Sequence, residues 1–180
     1  LHMIGGLDVP SEGQVIVDGM NLEKMNREAL ALYRRRKVGF IFQQYNLIPD
    51  LNVYDNILFP LELDGRQVDK KFIWELMAVL NISNKKEMLP SMLSGGEQQR
   101  VAIARALGAK PSIILADEPT GNLDTMASHD VIGLLKVLAK EYQQTIILIT
   151  HDGDIAQMAD RIVRIEDGKI RKGSEPYAGK

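Results

Sequence analysis

The sequence predicts an α/β fold built on a mostly parallel sheet, and three observations carry that expectation. Short apolar runs recur at residues 38–42 (Val-Gly-Phe-Ile-Phe), 112–116 (Ser-Ile-Ile-Leu-Ala) and 145–149 (Thr-Ile-Ile-Leu-Ile). Such runs suit strands covered on both faces. Amphipathic stretches separate them, and strand–helix–strand alternation is the signature of a parallel sheet with crossover helices. The length of 180 residues, with 45% apolar and 26% charged, allows one substantial core or one core plus a small appended subdomain.

Taken in order, the chain opens on Leu1-His2-Met3-Ile4-Gly5-Gly6. His2-Met3 reads as a cloning scar, or residues 1–4 read as the end of a helix stopped by Gly5-Gly6. Residues 10–13 form a turn, and Gln14 to Val17 a short strand before the Asp18-Gly19 turn. Asn26 caps a helix that runs to about Arg35. Its basic end, Arg34 to Lys37, reads as a solvated face favoured by the helix dipole.

After the apolar strand at 38–42 the texture turns helical. Residues 52–58 form a helix that Pro60 ends or bends. Residues 69–80 are amphipathic, with Phe72, Ile73, Leu76, Val79 and Leu80 on one side. Trp74 beside that stripe reads as packing. Residues 45–107 are thus expected to be a helical subdomain inserted between residues 1–44 and 108–180 of the α/β core. In the second core segment, residues 130–142 and 154–159 read as helices. A final hairpin pairs residues 161–166 with 169–172 over Asp167-Gly168.

Composition excludes several classes. The chain has no cysteine, so disulfides and thiolate metal sites are out. The net charge of −2 gives no pull towards nucleic acid. No apolar run has transmembrane length and no signal peptide is visible, so a cytoplasmic location is expected.

The chemistry concentrates in two places. Ser94-Gly95-Gly96-Glu97 has capping-box spacing at the start of a helix. Its two glycines leave the first turn bare, and the unpaired N–H groups there suit a phosphate. The second place is the carboxyl edge of the sheet, where ligands of such folds bind. Gln43 follows the first strand, Asp117-Glu118 the second, and Thr150-His151-Asp152 the third. Two adjacent carboxylates call for a cation or a proton. In a magnesium–nucleotide site, Asp117 would order the metal's waters and Glu118 would polarise the attacking water. His151 would contact the terminal phosphate and Gln43 complete the metal or water arrangement.

These residues closely resemble the nucleotide-binding subunit of ATP-binding-cassette (ABC) transporters, over essentially the whole chain. Leu93-Ser94-Gly95-Gly96-Glu97 resembles the ABC signature, with glutamate in place of the commoner glutamine, and Arg-Val-Ala-Ile-Ala-Arg-Ala-Leu follows it. Ile113 to Asp117 resembles Walker B, with Glu118 at the catalytic-base position. Gly121-Asn122-Leu123-Asp124 resembles the D-loop, His151 the switch histidine and Gln43 the Q-loop glutamine. The stretches Phe-Gln-Gln-Tyr-Asn-Leu-Ile-Pro and Ala-Asp-Glu-Pro-Thr-Gly-Asn-Leu-Asp are similar to the lipoprotein-release, macrolide-efflux and antimicrobial-peptide group.

The resemblance implies a P-loop NTPase (RecA-like) fold and ATP hydrolysis with Mg2+. It also implies a head-to-tail homodimer in which Ser94, Gly95, Gly96 and Glu97 of one copy face the other copy's nucleotide, with Asp124 coupling the sites. Its partner would be a membrane permease, placing the subunit on the inner face of the cell membrane. The alternative within the family is a non-transport ABC ATPase acting on nucleic acid or ribosomes. One departure stands out, since no G-x-x-x-x-G-K-[ST] Walker A occurs in the 180 residues. Leu1 to Gly6 would match the helix just after that loop in relatives. Either the sequence is a shortened one or the chain cannot bind ATP alone. Both imply that these residues by themselves hydrolyse no ATP, and that the sheet lacks its N-terminal strands.

Overall fold

The computed structural model describes residues 1–171. Its first seven residues make a single helical turn closed by left-handed Gly6, whose φ is +65°. The Leu7 amide donates to the His2 carbonyl and the Gly6 amide to the Met3 carbonyl, at 2.9 and 3.1 Å, the bond pair of a Schellman stop. Helical character at Leu1–Ile4 ended by glycine is therefore what forms.

Strands β1 (Ile16–Val17) and β2 (Met20–Asn21) pair antiparallel across Asp18-Gly19, shorter than the four residues expected. Both turn residues have positive φ, the geometry that favours Asp-Gly in a two-residue hairpin. Helix α1 (Arg27–Lys37) is capped by the Asn26 side chain, which accepts from the Ala29 amide. Its basic end is solvated as expected, with the Arg35 and Arg36 side chains 46% and 48% exposed, but it is also paired. Arg35 and Arg36 both bond the Asp64 carboxylate, whose side chain is only 2% exposed. Arg34 donates to the Gly6 carbonyl and Lys37 pairs with Asp18. What the sequence does not show is the pairing, because all three acceptors, Asp64, Gly6 and Asp18, lie far away along the chain.

Strand β3 (Val38–Phe42) leads to α2 (Val53–Leu63) and α3 (Lys70–Val79), capped by Asn52 and Asp69. Pro60 lies inside α2 and does not end it. Proline's missing N–H forfeits one helical bond, but Ile57, Leu58 and Leu61 bury the surrounding turns. Asn56 is fully buried in α2. Its amide nitrogen donates to the carbonyls of Ile48, Leu51 and Asn52, and its oxygen accepts from the Ile48 amide. Trp74 stacks on Tyr54 with ring centres 5.7 Å apart, as packing.

Helix α4 (Gly95–Gly108) carries the face that joins this helical region to the sheet. Val101, Ile103, Ala104 and Leu107 are buried in one cluster with Ile57, Ile73 and Leu76 on one side and Ile41 and Ile114 on the other. Gly39 is required there, since a Cβ would lie 2.9 Å from the Ala106 carbonyl oxygen. Strand β4 (Ile113–Asp117) follows, then α5 (Thr125–Glu141) and β5 (Thr145–Ile149). Helix α5 starts five residues before the expected Asp130, because the Asp124 side chain caps it by accepting from the Ala127 amide.

The three longer strands form one parallel sheet in the order β3-β4-β5. Ile113 and Leu115 face the cluster that holds Leu1, Ile4, Tyr33 and Phe40, while Ile114 and Ala116 face α4 and α5. Tyr33 ties this layer to the N-terminal turn, its hydroxyl donating to the Ile4 carbonyl at 2.7 Å. Burial lifts that phenol's pKa to about 12.

The chain divides into two compact units, Leu1–Ile149 and Thr150–Lys180. The described part of the second contains α6 (Gly153–Gln157), capped by Asp152, and a hairpin of β6 (Ile165–Glu166) and β7 (Lys169–Ile170). The hairpin turns at Asp167-Gly168 as expected but is shorter, and Lys172 lies outside the described residues.

Strand β5 pairs only with β4 among the described residues. Its sequence is as apolar as that of β4, yet Thr145 and Ile149 are exposed and the residues between them half-buried. Exposed apolar edges template further strand pairing. The 180-residue chain is expected to self-associate as concentration rises, and Thr145→Lys on that edge to suppress it, as read by sedimentation velocity.

Candidate functional site

The register sets the site. Phe42, Asp117 and Ile149 are Cα partners across the sheet, so β3, β4 and β5 end level. Gln43 and Glu118 therefore leave adjacent strands at the same height, about 4.8 Å apart in the pairing direction. Asp117 shares the face of Ile113 and Leu115 by strand alternation. That is the face on which the N-terminal turn packs, with Gly5 against Phe40 and Leu115 so closely that a Cβ would meet them at 2.6 and 3.2 Å.

Backbone conformation singles out the same edge. Eight non-glycine residues have left-handed φ among the described residues. Asp18 and Asp167 lie in hairpin turns, and Asn81, Lys110 and Gln143 follow helix ends. Only Tyr45, Asn46 and Glu118 have neither excuse. Left-handed backbone costs an L-residue about 1–2 kcal/mol. Glu118, at φ +45°, is held there by its amide donating to the Ile149 carbonyl and its own carbonyl accepting from the Gly121 amide, both at 3.0 Å.

The loops after β3 and β4 are tied to each other. The Asn122 side-chain amide donates to the Gln43 carbonyl at 2.9 Å, and the Gln43 amide donates back to Asn122 Oδ1 at 3.3 Å. Gln43 lies against Gly121, where a Cβ would fall 2.5 Å from its Nε2. Helix α4 enters this cluster end-on. A Cβ on Gly95 would lie 2.8 Å from the Tyr45 hydroxyl and 3.3 Å from a Leu123 methyl.

The capping box at the start of α4 is complete. The Ser94 amide and hydroxyl donate to Glu97 Oε2 at 2.8 and 3.1 Å, and the Glu97 amide donates to Ser94 Oγ at 3.3 Å. Lys85 adds an ion pair to Glu97 at 3.2 Å. The bond from the Ser94 amide is the main cause of a lowered Glu97 pKa, helped by Lys85. Glu97 is therefore occupied as a cap, and the anion-facing groups of this turn are backbone N–H donors that a helix leaves unpaired. Asp124 is likewise occupied as the cap of α5.

His151 belongs to the second unit, two residues past β5 in sequence, and is exposed. Gln43, Asp117, Glu118, Asp124 and the Ser94 turn all belong to the first. Among the described residues no three His, Asp or Glu side chains gather as a metal cage. What the edge offers is one or two carboxylates with open positions. That fits Mg2+, which ordinarily keeps waters and substrate phosphates as most of its ligands.

Sequence inspection gave no role to Tyr45, Asn122 or Arg105. Arg105 donates through Nη1 to the Asn46 carbonyl and through Nη2 to the Tyr45 carbonyl. Its signal was a lone arginine inside the Ala- and Ile-rich buried face of α4.

Comparison with known proteins places the chain in a family. Residues 1–121 match the family described as ABC transporter. A putative ABC transporter ATP-binding protein of Mycoplasma pneumoniae is 44% identical over 170 residues, covering 94% of this chain and 50% of that protein. A lipoprotein-releasing system ATP-binding protein of Chlorobium chlorochromatii is 40% identical over 173 residues, covering 94% of this chain and 70% of that protein. The chain thus spans about half the length of the Mycoplasma relative. Among solved structures, a dimeric ATP-binding cassette in a post-hydrolysis state, bound to ADP and Pi, superposes with a TM-score of 0.84 at 37% identity. It covers 99% of this chain and 79% of that one.

Three substitutions test the α4 entrance. Glu97→Gln is expected to cost about 1 kcal/mol of stability at neutral pH. Because the folded pKa is depressed, the carboxylate's contribution is present above the ordinary glutamate value of 4.5 and lost as pH falls through the folded value. Denaturant melts of both proteins should therefore converge below that pH. Gly95→Ala is expected to lower the melting temperature by colliding with the Tyr45 hydroxyl. Gly96→Ala meets only Ala127 Cβ at 3.7 Å and is expected to leave it unchanged or raise it.

Proposed function

The chain belongs to the ABC transporter ATP-binding family, and from that premise we propose that it is the ATP-hydrolysing part of a subunit that powers a membrane permease. The observation that carries the proposal is the level ending of β3 and β4. It brings Gln43, Asp117 and a left-handed Glu118 to one edge. Strain of this kind clusters at functional sites.

Asp117 would order the water shell of the cation, and Glu118 would accept a proton at its carboxylate from the attacking water. Gln43 would orient that water or the cation through its side-chain amide. Bound Mg2+ would supply the positive charge that neutralises the phosphates as the terminal bond breaks. His151 is assigned the terminal-phosphate contact on its sequence position alone.

No G-x-x-x-x-G-K-[ST] occurs in the 180 residues, so the nested N–H groups that cradle a nucleotide's phosphates are not supplied by them. What they do supply is the α4 N-terminus, where the Gly95 and Gly96 amides suit a γ-phosphate and the Ser94 hydroxyl would join them by leaving Glu97 Oε2. In the head-to-tail dimer that the family resemblance implies, this helix end would serve a nucleotide held by the other copy, once each copy carries a phosphate-binding loop. Asp124 would couple the two sites, since it fixes the start of α5 beside Ala127 and the α4 entrance.

The helical stretch 45–107 would form the arm that meets the permease, through the surface between residues 43 and 63. Among the described residues no helix is long and apolar enough to cross a membrane. The subunit would act from the cytoplasmic face. The similarity to a lipoprotein-releasing protein supports a permease that works by export or mechanical extraction, and a methionine import relative of 43% identity supports import as the second reading.

The purified 180-residue chain is expected to hydrolyse no ATP. Joined behind a relative's phosphate-binding strand and loop, it is expected to gain turnover. In that form Glu118→Gln should reduce turnover by about a thousandfold or more while nucleotide binding persists. Undiminished turnover in that variant would remove Glu118 from its assigned role.

A further inference from the structure

The segment after β3 holds a shape that its own residues disfavour. Tyr45 and Asn46 are consecutive left-handed residues, at φ +57° and +50°. Asparagine tolerates that region and tyrosine does not. No helix end or hairpin turn accounts for the pair, so something outside the segment must hold it. Local bonds contribute little direction: the Tyr45 amide donates to the Phe42 carbonyl at 3.2 Å and the Asn46 amide to the Gln44 carbonyl.

The external hold comes from α4. Arg105 is half-buried on its third turn and directs one guanidinium nitrogen at each of the two carbonyls, with Nη2 at 2.7 Å from the Tyr45 oxygen. A planar fork with fixed spacing recognises a pair of oxygens in one geometry. A lysine ammonium, a single point on a flexible stem, cannot do the same. The carbonyls Arg105 grips belong to the left-handed residues themselves, so the grip and the unusual backbone form together.

What the segment carries is the site. One side of it is Gln43, locked to Asn122 and lying on Gly121. The other is the Tyr45 phenol, seated over Gly95 at the α4 entrance. A single side chain thus ties the body of α4 to the loop that joins the Gln43 edge, the Glu118 loop and the phosphate-facing turn. We propose that Arg105 is a positioning residue that fixes the 43–46 segment so that Gln43 and the α4 entrance hold their places together. This rests on the ATPase function proposed above for its kinetic consequence, but not for its structural one.

The test separates the two. Amide hydrogen exchange of the 180-residue chain is compared for the parent, Arg105→Met and Arg105→Lys. Exchange at the Tyr45 and Asn46 amides is expected to rise about tenfold or more in Arg105→Met. The amides of α5 should keep their protection and the thermal melt should stay cooperative. Arg105→Lys is expected to fall between, because one ammonium cannot satisfy both carbonyls. Adding Asn46→Gly should restore part of the protection in either variant, since glycine accepts the left-handed backbone at little cost.

In the chain completed with a phosphate-binding loop, Arg105→Met is expected to lower kcat about tenfold or more, with KM for ATP nearly unchanged. Unchanged exchange at Tyr45 and Asn46 in Arg105→Met would overturn the proposal. So would an Arg105→Lys protein indistinguishable from the parent in both readouts. Should Arg105→Met fail to fold, Arg105→Lys with and without Asn46→Gly decides the same question. A rise in exchange, together with no hydrolysis even by the completed parent, would uphold the grip of Arg105 and sink the ATPase function instead.

Discussion

Everything functional in this chain hangs on the pairing of β4 with its two parallel neighbours. Phe42, Asp117 and Ile149 stand side by side, so the polar residues that follow them emerge together. A slip of one residue in β4 would turn Asp117 towards α4 and α5, and Ile114 and Ala116 towards the N-terminal turn. Both faces of the strand are buried, so either error would strand apolar groups against the wrong partner. The apolar burial that makes the strand stable is therefore the same burial that places its carboxylate. At about 1.5–3 kcal/mol for each large side chain sealed away, several residues of β4 enforce this register together.

Around that sheet, charge is used locally and sparingly. The acidic caps Asp69, Glu97 and Asp124 each begin a helix. Asp64 gathers two arginines from the end of α1 into a site its side chain hardly shares with water. Hydrogen bonds from Arg36 first, and from Arg35, hold its carboxyl below the ordinary aspartate range. These contacts fasten the α2–α3 connection to the α/β layer, as does Arg66, which donates to the Ala109 carbonyl at 3.0 Å. The α4 entrance, by contrast, keeps its bare backbone at Gly96.

Much of this was legible in the sequence, and the boundary of legibility is physical. Strands β3 and β5 fall on the residues expected, because an apolar run bounded by polar groups leaves little freedom. The capping box of Ser94 and Glu97 was readable for the same reason: both partners lie within one turn. Local signals ran out wherever the partner was distant. The basic run 34–37 is exposed as its charge predicts, but its pairing with Asp64, Asp18 and the Gly6 carbonyl is invisible to a local window. Helix α5 starts before its amphipathic pattern becomes clear because Asp124 caps it. Asn56 and Arg105 carry no local signal, since an amide or a guanidinium inside a helix announces nothing until its carbonyl partners are known. The left-handed backbone of Glu118 had no sequence signal at all.

Asn56 has a consequence for recognition. Its side chain spends four hydrogen bonds on the backbone of residues 48–52, in a place sealed from water. The loop leading into α2 is thereby frozen before anything touches it. A helix docking along this stretch would find the surface already shaped and would lose little conformational entropy on the protein's side. It would also find little give. A partner whose contour differed slightly would have to change its own shape, so fidelity between matched partners would be written into the rigidity of one buried amide.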